Sequence, residues 1–151
     1  MDKVVICLWH SANKGKSATI REFAKLILDK YYKPRRKTIY QSYEGDTVPE
    51  FDDFILVVEI NGIIFGIRSQ GDPNTGVETE LKMLANKYKC NIIVCASRTK
   101  GETVWAVEGL RGFEKIWTST YQVADKSLQH KLNMLKAKQL MELIKNIGFI
   151  K

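Results

Sequence analysis

Gly15, Lys16 and Ser17 stand in immediate succession, and together they are suited to holding a phosphate. A glycine lets main chain approach an anion closely. A lysine supplies a compact positive charge, and a serine hydroxyl can ligate Mg²⁺. The preceding residues His10, Ser11, Ala12, Asn13 and Lys14 are polar and span a loop long enough to wrap a phosphate group. Ala18 follows within the first helical turn, where main-chain N–H groups lack intrahelical partners and carry partial positive charge. Farther along, Gln70 and Asp72 in SQGDP offer a group to orient a nucleophile and an acid to support a metal. Arg98 in SRTKGET offers a cation for charge that develops on a transferring phosphoryl group.

These residues need elements that bring them to one place. Val4 to Trp9 is an apolar run that reads as a buried strand, and Ile20, Phe23, Ala24, Ile27 and Leu28 recur at helical spacing after the loop. Strand, loop, Gly-Lys-Ser and helix in that order resemble the phosphate loop of P-loop nucleoside-triphosphate-binding proteins. The pattern G-x-x-x-x-G-K-[ST] is matched by HSANKGKS, residues 10–17, except that His10 takes the place of the first glycine. Three readings of His10 stay open: a tolerated substitution, a direct ligand contact, or the mark of a degenerate site. The resemblance implies ATP as ligand, bound through residues 10–18, with Mg²⁺ held by Ser17 and an acid. It implies hydrolysis or phosphoryl transfer in which Lys16, Gln70, Asp72 and Arg98 take part. Guanine-specific members carry N-K-x-D where this chain has A-S-R-T-K-G, so guanine is not expected.

The rest of the chain reads as alternating strands and helices. Strands are expected at 38–43, 54–60, 63–69, 91–97 and 115–120. Helices are expected at 77–88, 104–110 and 127–146. Asn61-Gly62 between two apolar runs is a hairpin turn, which makes one strand antiparallel. The expected fold is α/β, a three-layer arrangement with a mostly parallel sheet, one antiparallel hairpin strand and helices on both faces. The 151 residues suit a single P-loop-like domain.

Strand direction chooses between two acids. FILVVE, residues 54–59, ends in Glu59 and taken alone nominates it as metal support. The hairpin reverses that strand and sends Glu59 to the far pole, while the next strand returns Gln70 and Asp72 to the phosphate edge, where ligands of such sheets bind. Asp72 before Pro73 is also ordinary turn chemistry. Glu44 and Asp46, in the acidic loop EGDTVPEFDD, fall at the same edge.

Composition narrows the classes. Three cysteines, Cys7, Cys90 and Cys95, form no CxxC pair and fit free thiols in a reducing cytoplasm. No apolar run is long enough for a membrane span, and no signal peptide is read at the start. The net charge of +7 suits an anionic partner. Two further functions therefore stand beside the ATPase or kinase reading: a degenerate P-loop module that binds or regulates without catalysis, and a basic nucleic-acid-binding protein. KYYKPRRK, residues 30–37, mixes cations with aromatics as single-strand binders do. It also reads as a helix end, where cations favour the dipole.

Overall fold

A computed structural model of the chain describes residues 3–10, 15–31 and 35–148. Its elements follow in the order β1 (Val4–Trp9), α1 (Lys16–Lys30), β2 (Arg36–Gln41), β3 (Ile55–Ile60), β4 (Ile63–Arg68), α2 (Val77–Lys82), β5 (Ile92–Ser97), α3 (Glu102–Glu108), β6 (Glu114–Thr118) and α4 (Lys126–Asn146). The six strands form one sheet in the order β2-β3-β4-β5-β1-β6.

The sheet is mixed. β2, β3 and β4 pair antiparallel in turn, whereas β4-β5, β5-β1 and β1-β6 pair parallel. The expected mostly parallel sheet is thus confined to one half, and the fold is α/β with a six-stranded mixed sheet. The Asn61-Gly62 turn explains the antiparallel β3–β4 pair. Asn61 has φ of 51° and Gly62 has φ of 83°, the left-handed pair that a tight two-residue hairpin requires. β3 alone runs against the other strands, so the carboxyl ends of β1, β2, β4, β5 and β6 share one edge with the start of β3.

Alternation along each strand divides the core. Val4, Ile6 and Leu8 of β1 face Ile20, Phe23, Ala24 and Ile27 of α1 and Ala137, Leu140 and Ile144 of α4. Val5 and Cys7 face the opposite way, toward Val77 and Leu81 of α2 and Ala106 and Val107 of α3. β1 and β5 are buried along nearly their whole length. That is why they read as continuous apolar runs rather than alternating ones.

Two helices depart from the expected outlines. The segment expected as one helix over 77–88 continues from α2 as a π-helical turn, Met83–Lys87. α3 starts two residues earlier than the expected 104, directly after Gly101. α4 begins on Asp125, whose carboxylate accepts the N–H groups of Ser127 and Leu128. That cap satisfies donors with no intrahelical partner. No described helix is long and apolar enough to cross a membrane.

Candidate functional site

The site lies beyond the carboxyl ends of β1, β4 and β5, where α1 starts. Ser11, Ala12, Asn13 and Lys14 of the expected phosphate loop lie outside the described residues. Gly15 is the N-cap of α1, with φ of 79° and ψ of 9°, and no side chain among the described residues caps this helix end. The Thr19 N–H returns to the Gly15 carbonyl, which leaves the N–H groups of Lys16, Ser17 and Ala18 without helical acceptors. Gly15 is also pressed from outside. A Cβ there would lie 2.7 Å from Asn133 Oδ1 and 3.3 Å from Gln129 Nε2, both on α4. Only glycine combines that backbone with that approach.

Lys16 is 3% exposed. Its ammonium donates to the Ser97 carbonyl at 2.9 Å and to the His10 carbonyl at 3.3 Å. Among the described residues no carboxylate stands within ion-pair distance of it. Burial pushes its pKa below the ordinary lysine value, partly opposed by the charge of Asp72. A buried cation on two carbonyl oxygens is incompletely compensated, and an anion would supply what is missing. His10 donates its main-chain N–H to Ser97 at 3.1 Å. Positive φ among the described non-glycine residues occurs at Asn61, Asn74 and Lys89, and not at His10. The histidine therefore causes no left-handed strain where the pattern has glycine.

Ser17 Oγ donates to the Ser69 carbonyl at 3.0 Å and lies 3.4 Å from Asp53 Oδ1. Asp53 is the acid that sequence reasoning missed. It accepts from Ser69 Oγ at 2.9 Å and from Gln70 Nε2 at 2.5 Å. Gln70 Oε1 accepts the Asp72 N–H at 3.0 Å, and Asp72 Oδ1 accepts from Arg98 Nε at 3.0 Å. One polar chain thus runs from Ser17 through Asp53, Gln70 and Asp72 to Arg98. Gly71 makes the link possible, since a Cβ there would meet Ala96 Cβ at 2.7 Å. The 70–72 loop can therefore lie directly against the end of β5.

The structure brings Lys16, Ser17, Gln70, Asp72 and Arg98 to one edge, as the strand-direction argument expects. Asp72 is engaged by Arg98, however, and Asp53 is the acid next to Ser17. Glu59 pairs with Ile64 on β4 and Lys37 on β2, at the opposite pole. Glu44 and Asp46 lie in an exposed loop, and no hydrogen bond joins them to this network among the described residues. A signal for Asp53 existed. The reversal that carries Glu59 away must carry the start of the same strand, Asp52-Asp53, toward the site. Asn133 and Gln129 offered a weaker signal, as polar residues among the apolar positions of α4.

Ser17 and Asp53 together offer one hydroxyl and one carboxylate at this edge, oxygen donors of the kind that Mg²⁺ takes alongside substrate phosphates. Among the described residues no group of three or more His, Cys, Asp or Glu could hold a metal without a nucleotide. No protein-family model, curated protein or solved structure matches this chain.

Proposed function

We propose that this chain binds ATP with Mg²⁺ through a P-loop-like site and hydrolyses it or transfers its γ-phosphoryl group. The observation that carries the reading is the buried Lys16 ammonium beside the uncapped start of α1. In this reading the main-chain N–H groups of residues 16–18 and the lysine would contact the β- and γ-phosphates. Ser17, with Asp53 beside it, would hold the metal, which would neutralise charge on the phosphates. Gln70 would orient the nucleophile, and Arg98 would move charge toward the transferring group. The finer reading of the fold, a three-layer nucleotide-binding domain built on this mixed sheet, belongs to the same proposal.

The test is calorimetric titration with AMP-PNP, with and without Mg²⁺. Lys16→Ala is expected to weaken binding by about 1.5–3 kcal/mol, the range for a charge-assisted contact. Asp53→Asn is expected to remove most of the Mg²⁺ enhancement, while Glu59→Gln leaves it in place. Equal affinity for parent and Lys16→Ala would refute the phosphate-loop reading. If Asp72→Asn rather than Asp53→Asn removes the enhancement, the metal-supporting acid is Asp72.

A non-catalytic reading has one observation in its favour: Arg98 is already engaged by Asp72 at 3.0 Å. In that reading the site binds nucleotide and signals occupancy without turnover. Measured ATP turnover that falls on Arg98→Ala would exclude it.

A further inference from the structure

A cavity adjoins the polar chain at Asp53 and Gln70, which both line it. It encloses about 360 Å³ and is lined by Ser42, Asp53, Phe54, Arg68, Thr75 and Glu80, among others. That volume falls within the range of small-molecule sites. It opens beyond the carboxyl ends of β2 and β4, and Asp53 belongs to both the cavity and the contacts of Ser17.

The chemistry of the lining is selective. Arg68 is 1% exposed, yet its cation is fully engaged. Nε and Nη2 donate to Glu80 Oε1 at 3.1 and 2.8 Å, Nη2 also reaches the Thr75 carbonyl at 2.8 Å, and Nη1 donates to the Gln70 carbonyl. The Arg68–Glu80 pair is neutral as a unit, so the charge left in the lining is that of Asp53. Both Arg68 bonds land on Glu80 Oε1, and among the described residues no hydrogen bond reaches Oε2. Ser42 Oγ accepts the Ile55 N–H at 2.8 Å, which leaves its own proton to donate. The cavity thus presents carboxylate acceptors and the free proton of the Ser42 hydroxyl, with Phe54 and Ile55 also in its lining. It presents no cation for a phosphate.

We propose that this cavity is the acceptor site of a phosphotransferase, built for an uncharged, hydroxyl-bearing small molecule of nucleoside or sugar size. The proposal rests on the ATP-binding reading. In the reaction the acceptor hydroxyl oxygen bonds to the γ-phosphorus. The bond from that phosphorus to the β–γ bridging oxygen breaks, and ADP leaves with the electron pair. The hydroxyl proton passes to water. An acceptor that already carries a phosphate is disfavoured, because its charge would face Asp53 and Glu80 without a free cation.

The experiment uses γ-³²P-labelled ATP and the whole chain with two sets of probes: adenosine, thymidine and glucose, and then AMP, TMP and glucose 6-phosphate. AMP-PNP binding is measured separately by calorimetry, and binding of the neutral probes by ligand-observed NMR. The expected result is label on at least one neutral probe, at least about tenfold above its phosphorylated counterpart. Glu80→Gln and Ser42→Ala are each expected to raise KM for that probe about tenfold and to leave KM for ATP within about twofold. Ser42→Ala keeps the Arg68–Glu80 pair, so it serves if Glu80→Gln fails to fold. If AMP-PNP binds but label goes only to water or to the phosphorylated probes, the acceptor proposal is overturned while the ATP reading stands. If AMP-PNP fails to bind, the ATP reading falls and the phosphotransferase proposal falls with it.

Discussion

Lys16 concentrates the energetics of the site in one side chain. Its ammonium is buried against two carbonyls, and burial lowers its pKa from the ordinary 10.5. The folded chain therefore releases this proton at lower pH than the unfolded chain does. Stability from this group is least at neutral pH, rises as pH climbs through the folded value, and levels off above 10.5. A triphosphate reverses the preference, because it favours the charged amine. ATP binding at alkaline pH should then take up a proton, and affinity should fall as pH rises. Calorimetry in buffers of different ionisation enthalpy reads the uptake directly, and Lys16→Met should abolish it. His10 belongs to the same scale. It keeps an ordinary φ and a main-chain bond to Ser97. His10→Gly is expected to change ATP affinity and turnover less than about twofold, since glycine relieves no strain there. A several-fold loss of affinity, larger at low pH, would instead make the imidazole a ligand.

Between elements, α4 holds the start of α1 in a way that its sequence does not announce. Asn133 and Gln129 bond each other at 2.8 Å and seat against Gly15. Gly15→Ala should cost about 1–2 kcal/mol through the left-handed backbone alone, and more because Asn133 must move. Thermal unfolding of Gly15→Ala beside the Gly15→Ala, Asn133→Ala double variant separates the two parts. Relief of the packing part but not the backbone part is the expected outcome. The reach of sequence reasoning follows the same division. Strand β1, helix α1, the hairpin and the placement of Lys16, Ser17 and Asp72 at one sheet edge were legible, because periodicity and turn chemistry are local signals. Strand direction even carried Gln70 to the correct edge. What was not legible is held by contacts distant in sequence. Asp53 meets Ser17 across 36 positions, Arg98 reaches Asp72 across 26, and Lys16 reaches Ser97 across 81. The π-helical turn after α2 and the antiparallel pairing of β2 with β3 likewise answer to packing rather than to local pattern.

For the molecule as a whole, the net charge of +7 raises the question of nucleic acid. The structure supplies little to read a base. Within KYYKPRRK, Tyr31 is 1% exposed and packs in the core, so its ring is no stacking platform. Tyr32, Lys33 and Pro34 lie outside the described residues. Among the described residues the aromatic side chains that stand in solvent, Phe51 at 96%, Trp105 at 68% and Tyr121 at 41%, belong to separate segments: the loop before β3, helix α3 and the loop between β6 and α4. Sequence-tolerant single-strand binding uses successive aromatic platforms along a basic groove, and these three, set apart along the chain, do not form such a series. Lysine and arginine side chains on the surface can still meet phosphates, which positions a partner without reading its sequence. Any complex with single-stranded DNA should therefore be weak, indifferent to sequence and steeply dependent on salt, with a log–log slope of about −0.7 per phosphate neutralised. Fluorescence anisotropy with two unrelated oligonucleotides at rising KCl checks this. Equal curves that collapse together as salt rises are expected. A sequence-selective, salt-insensitive complex would mean that base readout comes from elsewhere in the chain, and that charge alone does not explain the partner.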